Sequence, residues 1–253
     1  MSRLHDAYRA IHNQGFIPIF VDDEFDSRML LDACLAAGMK AIEYTLRRRD
    51  AHQMIPWIRA RYPDLYLLVG STMDNDMIVA HCRRKFPQLL TIAELDAMDV
   101  DGYVSMIGWH EETIRKYAPR RIVMPTASTV NEAFFQVGAG AHFAKLFGGD
   151  LALVRRCRGD AAFGYCPIIV TGGMTTERIP EGIEAGAILI ASGFDLTLRG
   201  EPKNISAKKV TEVMKRYMEV TQEARVRRWP QLAAAATAPW AQWLDALPHY
   251  HPF

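Results

Sequence analysis

The sequence predicts an α/β protein, an eight-stranded (β/α)8 TIM barrel with a C-terminal extension. Short runs rich in Val, Ile, Leu and Phe alternate with longer amphipathic runs, and this alternation repeats eight times before residue 225. Such alternation predicts parallel strands joined by right-handed helical crossovers. Eight units in a chain of this length suit a closed barrel. The alternative, an open doubly wound sheet, is disfavoured because no GxGxxG follows the first strand.

Each predicted strand is a short apolar run, as in FIPIFV at 16–21, and each predicted helix repeats apolar residues at helical spacing, as in SRMLLDACLAAG, which Gly38 closes. The segment 87–101 adds a short helix over TIAELDAM before the fourth strand. The predicted strands are 16–21, 40–45, 65–71, 102–107, 121–125, 142–147, 166–173 and 187–192. The helices predicted to follow them are 27–38, 51–62, 76–86, 110–118, 130–140, 150–158, 176–186 and 206–225.

Residues 226–253 do not continue the repeat. They hold three of the five tryptophans and four prolines. Trp229, Trp240 and Trp243 are too apolar for a solvated linker, so we expect them to be buried. We therefore expect one catalytic barrel domain over residues 1–225 and an extension over 226–253. The extension would pack on the barrel, at its mouth for example, or on a neighbouring subunit.

Composition and charge exclude several classes of partner. The chain has 30 basic and 29 acidic residues, a net charge of +1, so no overall field favours nucleic acid or an anionic membrane. The N-terminus lacks the apolar core of a signal peptide, and no run approaches the roughly 18 apolar residues of a membrane span. The four cysteines form no CxxC pair, which indicates reduced thiols. We expect a cytoplasmic protein with no nucleic-acid or membrane partner.

Lys145 is the first candidate for chemistry, because it lies inside the apolar run AHFAKLF, which is followed by Gly148, Gly149 and Asp150. An unpaired ammonium in an apolar wall is costly, and such a group escapes the cost by giving up its proton. A neutral lysine amine is a nucleophile. The run therefore indicates covalent catalysis at Lys145.

The other candidates follow from the barrel itself, whose active sites lie at the carboxyl ends of the strands. Those ends carry a carboxylate, an arginine, hydroxyl groups and two glycine-bearing turns of the kind that bind phosphate. The candidates for substrate binding or catalysis there are Glu43, Arg47, Thr72, Pro125, Thr171, Gly172, Gly173, Ser192 and Gly193.

Simpler interpretations stay open for several of these residues. Glu43 could be only a structural ion-pair partner of Lys145, and both glycine turns could be plain turns. Arg47 is nearest the strand end and is best placed to point inward, whereas Arg48 and Arg49 would form an exposed basic face. The eight histidines show no paired ligand spacing, so no metal or other cofactor is expected.

The order of the motifs resembles a known family over roughly residues 10–200. E-x-T-L-R on strand two, G-[ST]-x on strand three, P-x-x-[ST] on strand five, K-[FL]-F on strand six and T-G-G-[MI] on strand seven are similar to the class I aldolases of 2-keto-3-deoxy-6-phosphogluconate and 4-hydroxy-2-oxoglutarate. The resemblance implies a homotrimer that cleaves a keto acid, with or without a phosphate, to pyruvate and an aldehyde. It implies Lys145 as the Schiff-base lysine and Glu43 as the general acid and base. It assigns the pyruvyl carboxylate to Arg47 and Thr72, and a distal phosphate to Gly172, Gly173 and Ser192.

The sequence departs from this family in three places that would line the distal half of the pocket. Gly148 and Gly149 follow Phe147 where the family reads F-P-A, and the fourth strand ends in Ser105–Gly108 where the family reads S-P-G. The family's arginine after strand one is absent, and Val21 lies in this stretch. Two alternatives therefore stay open: a non-catalytic barrel that binds a sugar phosphate or keto acid, and a phosphate-binding isomerase or synthase that does not use the lysine.

Overall fold

The computed structural model describes residues 2–159 and 163–253. The strands are β1 (Phe16–Phe20), β2 (Ala41–Thr45), β3 (Tyr66–Thr72), β4 (Gly102–Ser105), β5 (Ile122–Met124), β6 (Ala144–Leu146), β7 (Ile168–Thr171) and β8 (Leu189–Gly193). The helices are α1 (Arg3–Gln14), α2 (Ser27–Ala36), α3 (Ala51–Arg61), α4 (Asp76–Arg83), α5 (Ile92–Ala97), α6 (Glu111–Tyr117), α7 (Val130–Gly138), α8 (Leu151–Arg158), α9 (Ile179–Ala185), α10 (Phe194–Thr197), α11 (Ala207–Arg228), α12 (Pro230–Ala235) and α13 (Trp240–Asp245).

The eight strands are parallel and run in the order β5-β4-β3-β2-β1-β8-β7-β6. β5 and β6, at the two ends of this order, are joined by a bridge between Thr126 and Lys145. The Lys145 N–H donates to the Pro125 carbonyl at 2.9 Å, and the Ala127 N–H donates to the Lys145 carbonyl at 2.9 Å. These bonds close the sheet, and the predicted (β/α)8 barrel is confirmed.

All eight predicted strands are present, and the helices between them cover the barrel. β1 and β2 are buried along their whole length, as strands covered on both faces must be. Polar caps begin several helices: the Asp26 carboxylate accepts from the Met29 N–H at 2.8 Å, and Thr129 with Glu132 forms a capping box. The helix predicted over 176–186 begins only at Ile179. Within the described ranges, no helix is both long and apolar enough to cross a membrane.

α1 and α10, which were not predicted from the sequence, lie at the two ends of the barrel. α1 covers the amino-terminal ends of the strands, where the buried Gln14 amide accepts from the N–H groups of Lys40 and Ala41 and donates to the Phe16 carbonyl. α10 is a single turn directly after β8. It therefore lies at the opposite end, beside the carboxyl ends of the strands.

Residues 226–253 pack on α1. Trp243 is fully buried, its Nε1–H donates to the Asn13 side chain at 3.1 Å, and its ring meets the rings of Tyr8 and His12 edge to face. Arg9 donates to two carbonyls of the α12–α13 connection. The extension thus contacts the amino-terminal end of its own barrel, at the opposite end from the mouth.

A buried polar chain joins the extension to α11 and α1. Arg225 donates to the Ile188 carbonyl at 2.7 Å and to His12 Nδ1 at 3.3 Å. His12 and His249 share a hydrogen bond of 3.0 Å between their Nε2 atoms, and His249 Nδ1 donates to the Tyr250 carbonyl at 2.6 Å. Because arginine can only donate, His12 must donate through Nε2. Burial lowers the pKa of both histidines, that of His249 to about 3, so the chain is formed from neutral imidazoles.

Candidate active site

Lys145 and Glu43 face each other across the inside of the barrel. They lie on β6 and β2, which are four positions apart in the closed ring of eight strands. Lys145 Nζ lies 3.4 Å from Glu43 Oε1, and the two side chains are 3% and 1% exposed. The second carboxylate oxygen, Oε2, is buried without a hydrogen-bond partner in the described part of the chain. The amine therefore has a carboxylate neighbour with one oxygen free to exchange a proton.

Gly70 on β3 makes room for this carboxylate. A Cβ atom at Gly70 would lie 2.1 Å from Glu43 Oε1. The register of β3 against β4 shifts between Val69 and Thr72, and Ser71 between them has φ 61°, which is strained for a residue with a side chain. The end of β3 is thus shaped around the carboxylate of its neighbouring strand.

A cavity of about 290 Å³ opens above Lys145 at the carboxyl ends of the strands. It gathers most of the residues that sequence analysis assigned to the site, and it adds others that sequence analysis missed. The expected lining residues are Arg47, Lys145, Thr171, Gly172, Gly173, Ser192 and Gly193. Val21, Met106 and Phe147 also line it, and they lie in the stretches that depart from the family and were expected to line the distal half of the pocket. The additional ones are Ile19, Asp195, Leu196 and Arg199.

The three consecutive arginines after β2 have different surroundings. Arg47 is exposed and lines the cavity, as expected, and Arg49 is exposed outside it. Arg48 is buried, where it donates to the Tyr44 hydroxyl at 3.0 Å and to the Phe25 carbonyl at 3.1 Å. The expectation that Arg48 belongs to an exposed basic face is therefore wrong. Its guanidinium instead holds the loop between β1 and α2 against β2.

Thr72 and Pro125 support the site from outside the cavity lining. The Thr72 hydroxyl donates to the Val104 carbonyl at 2.9 Å, and Ser105 Oγ donates back to the Thr72 carbonyl at 2.7 Å. Pro125 offers its carbonyl to the Lys145 N–H. These contacts tie β3 to β4 and β5 to β6. They use the donor of Thr72, so that hydroxyl can only accept a further hydrogen bond in this arrangement.

The two glycine pairs after β6 and β7 pack against each other. Gly148, Gly149, Gly172 and Gly173 all have left-handed backbone, with φ between 63° and 86°. A Cβ on Gly172 would lie 2.7 Å from the Gly148 nitrogen, and a Cβ on Gly149 would lie 2.6 Å from the Gly172 carbonyl oxygen. Arg178 donates to the carbonyls of Gly149 and Gly173 and fastens the pairs together. This close approach explains why glycines follow Phe147.

The end of β8 is crowded in the same way. Ser192 Oγ donates to the Met174 carbonyl at 2.6 Å, which commits this hydroxyl to the turn after β7. A Cβ on Gly193 would lie 2.1 Å from Asp195 Oδ1 and 2.4 Å from Val21 Cγ2. Gly193 therefore gives space to a carboxylate, on α10, that sequence analysis did not assign to the site.

A second and larger cavity, about 450 Å³, lies at the amino-terminal end of the barrel. It is bordered by α1, the ends of α6 and α7, and the last residues of the chain, and it is lined in part by the buried His142. Burial lowers the pKa of His142 to about 3, so this imidazole is neutral. Among the described residues around this cavity there is neither a lysine nor a carboxylate side chain. The chemistry of a buried amine and carboxylate belongs to the smaller cavity.

Comparisons with known proteins agree with this geometry. No family model matches the chain. The sequence is 27% identical over 198 residues to the 2-dehydro-3-deoxy-6-phosphogalactonate aldolase of Escherichia coli (strain K12), across 75% of this chain and 87% of that one. The expected resemblance to the class I keto-deoxy sugar-acid aldolases is confirmed.

Solved structures share the fold at lower identity. A 2-keto-3-deoxy-6-phosphogluconate aldolase from Legionella pneumophila, captured with pyruvate as a covalent carbinolamine, superposes with a TM-score of 0.66 and 17% identity over 85% of this chain and 97% of that one. A thiamine phosphate pyrophosphorylase from Pyrococcus furiosus superposes with a TM-score of 0.60 and 16% identity over 84% and 98% of the two chains. Because the barrel alone accommodates both activities, the side chains of the site must decide between them.

Proposed function

We propose that this chain, which resembles the class I aldolases in sequence and fold, cleaves a 2-keto-3-deoxy sugar acid or 4-hydroxy-2-oxoglutarate through a Schiff base on Lys145. The observation that carries the proposal is the contact of 3.4 Å between Lys145 Nζ and Glu43 Oε1 at the base of the cavity. A nucleophilic amine beside a proton-transfer group is what imine formation and carbon–carbon cleavage both require.

The first half of the reaction joins substrate and enzyme. The neutral amine of Lys145 attacks the C2 carbonyl carbon, and one proton passes from the nitrogen to the carbonyl oxygen to give a carbinolamine. Glu43 gives a proton to the leaving hydroxyl, so that water departs and a protonated imine forms. The buried Oε2 of Glu43, which has no partner among the described residues, is available for these transfers.

The second half breaks the bond between C3 and C4. Glu43 removes the proton of the C4 hydroxyl, the C3–C4 electron pair moves into the protonated imine, and an aldehyde leaves. The remaining enamine takes a proton at C3, and water hydrolyses the imine to release pyruvate and the free amine. Glu43 thus acts as a base and an acid in turn, and the reaction needs no redox partner.

Binding groups at the cavity mouth support the same assignment. The guanidinium of Arg47 lines the cavity and suits the carboxylate next to C2. The left-handed turns at Gly172 and Gly173 expose backbone near the far end of the substrate, as a barrel phosphate site requires. We assign Thr171, Ser192 and Gly193 to the walls of this distal part. Thr72 and Pro125 hold the strand ends around the carboxylate of the keto acid.

Borohydride trapping tests the proposal. Incubation with pyruvate and borohydride should add a stable reduced adduct to the peptide that contains Lys145, detected by mass spectrometry. A non-catalytic sugar-phosphate barrel and a phosphate-binding isomerase or synthase would both show no adduct. Cleavage of 2-keto-3-deoxy acids with and without phosphate, followed by pyruvate release, then identifies the substrate. An intact protein that forms no adduct at any substrate concentration would refute the aldolase assignment.

Assembly and location form part of the proposal. A homotrimer is supported by large apolar side chains that project from the outer helices, such as Met77, 81% exposed, and Phe135, 73% exposed. Sedimentation should give three times the monomer mass, and a monomer at working concentration would contradict this part.

A cytoplasmic location is supported by four cysteines that are all free thiols. The substrate class suggests a role in carbohydrate metabolism.

A further inference from the structure

We propose that Arg199 binds the anionic group at the end of the substrate remote from the keto acid, and that it selects phosphorylated or dicarboxylate substrates over neutral ones. This inference rests on the proposed function and extends it to a residue in the turn after α10. Arg199 lines the same cavity as Lys145, together with Gly172, Gly173 and Gly193.

The arrangement of strands separates the two cavity arginines. Arg47 follows β2, whereas Arg199 follows β8 and α10, and β1 lies between those two strands. Neighbouring strands are about 4.8 Å apart, so the ends of β2 and β8 are separated by about 10 Å. One extended sugar-acid chain can therefore place its keto-acid carboxylate near Arg47 and its far end near Arg199.

The guanidinium of Arg199 is not committed elsewhere in the described part of the chain. Arg178, in the neighbouring turn, has two glycine carbonyls as acceptors, whereas the Arg199 side chain has no hydrogen bond or ion pair among the described residues. Asp195 lies four residues earlier and lines the same cavity, yet it forms no ion pair with Arg199 within 4.0 Å. The Asp195 carboxylate is instead turned toward Gly193.

The other residues that line the cavity leave few positive charges for an anionic group, which favours Arg199 in the turn after α10 as the residue that binds it. Ile19 and Val21, at the end of β1, are apolar and offer no hydrogen bond through their side chains. Lys145 is already engaged with Glu43. Arg47 and Arg199 are thus the two cations left for an anionic substrate in the described lining. Arg199 is the one that follows β8, the strand next to β7 and its glycine turn. A planar guanidinium suits phosphate and carboxylate oxygens alike.

The test compares three substrates: a 2-keto-3-deoxy-6-phospho sugar acid, the same sugar acid without phosphate, and 4-hydroxy-2-oxoglutarate. In Arg199→Gln, kcat/KM should fall about 10- to 100-fold for the anionic-ended substrate that the wild-type enzyme prefers, because a hydrogen bond to a charged group is lost. It should change by less than about twofold for the unphosphorylated sugar acid. Arg199→Lys should retain an intermediate value. The substrate that loses rate identifies the anion as phosphate or carboxylate.

Two further variants control for charge alone. Arg49→Gln removes a cation that is exposed at the same end of the barrel but outside the cavity lining, and it should leave all three substrates unaffected. Asp195→Asn removes an anion from the cavity and should raise kcat/KM for the phosphorylated substrate about two- to fivefold. If Arg199→Gln and Arg49→Gln behave alike, or if the wild-type enzyme shows no preference for anionic ends, the inference is wrong.

Failure of this inference can be told apart from failure of the proposed function. Pyruvate has no distal group, so borohydride trapping on Lys145 should be equal in wild type and Arg199→Gln. Trapping without a distal preference would overturn only the role of Arg199. If the wild-type protein traps nothing, thermal stabilisation by a phosphorylated sugar acid, compared between wild type and Arg199→Gln, still tests the anion site. Equal stabilisation of both proteins would then contradict it.

Discussion

Gly70 provides a direct test of how the strand ends position Glu43, the proposed catalytic carboxylate. A methyl group at this position would lie 2.1 Å from Glu43 Oε1 and 2.9 Å from its carboxyl carbon, where ordinary contact begins at 3.4 Å. The Gly70→Ala substitution therefore forces the carboxylate to move by about 1.3 Å, since the obstacle is the carboxylate itself. Glu43 is 1% exposed and packed between strands, so it cannot retreat into solvent.

The expected consequence is a loss of turnover larger than the loss of stability. A misplacement of about 1 Å in a catalytic group can cost about 100-fold in rate. Overpacking by one methyl group costs about 1 to 3 kcal/mol of folding free energy. We expect kcat for cleavage to fall about 100-fold in Gly70→Ala, while urea denaturation shows a protein that is still folded at 25 °C. Steady-state pyruvate release measures the first quantity.

Two companion variants make the result decisive. Gly138→Ala adds the same methyl group at a helical position with no atom within 4 Å, and it should keep wild-type turnover. Glu43→Asp shortens the side chain that the new methyl group would obstruct. Gly70→Ala should therefore lower kcat by a smaller factor in the Glu43→Asp background than in the wild-type enzyme. A folded Gly70→Ala enzyme with wild-type kcat would refute the reasoning that Gly70 positions Glu43.

The remaining predictions concern the proposed catalytic pair, Lys145 and Glu43, and the buried histidines. Lys145→Arg should abolish both turnover and borohydride trapping, because arginine keeps the charge but is not a usable nucleophile; more than a trace of cleavage would contradict the Schiff base. Glu43→Gln should lose about 10²- to 10⁴-fold in kcat while still binding pyruvate, and an unchanged rate would leave Glu43 only a structural partner. Burial lowers the pKa of His142 to about 3, so its stabilising effect is complete above about pH 6.5 and is lost as the pH falls toward 3. The free energy of unfolding should fall by about 2 kcal/mol for this residue between pH 7 and pH 5. Urea-derived stability should therefore fall by about 2 kcal/mol less in His142→Asn than in wild type over that range, and an equal fall in both proteins would contradict this prediction.

The barrel and the contact between Lys145 and Glu43 could be predicted because both follow from simple periodic rules. A strand covered on both faces must be a short apolar run, so an ionisable residue inside such a run is visible at once. Lys145 and Glu43 each interrupt a run of this kind, and the eightfold alternation places both on the inner wall. Once the eight strands close into a ring, β2 and β6 lie opposite each other, and the two side chains meet inside the barrel.

The direction of side chains beyond a strand end could not be predicted in the same way. Arg47 and Arg48 are adjacent in sequence, and only the turn geometry makes the first line the cavity and buries the second beneath the loop that contains Phe25. Arg199 was missed for a similar reason. It follows a single turn of helix after β8, which is too short to show a periodic pattern. Contacts between loops that are distant in sequence, such as Gly149 with Gly172, have no local signal either.

The candidate site and the C-terminal extension lie at opposite ends of the barrel. At the carboxyl end, Ser71 has φ 61° and Glu43 Oε2 has no partner among the described residues. At the amino-terminal end the polar groups of Arg225, His12 and His249 are joined in one buried chain, and Trp243 fills the space between α13 and α1. Strain persists only where the surrounding structure holds it in place. The extension contacts α1 on the side away from the cavity, so we expect it to influence the reaction through the stability of the barrel.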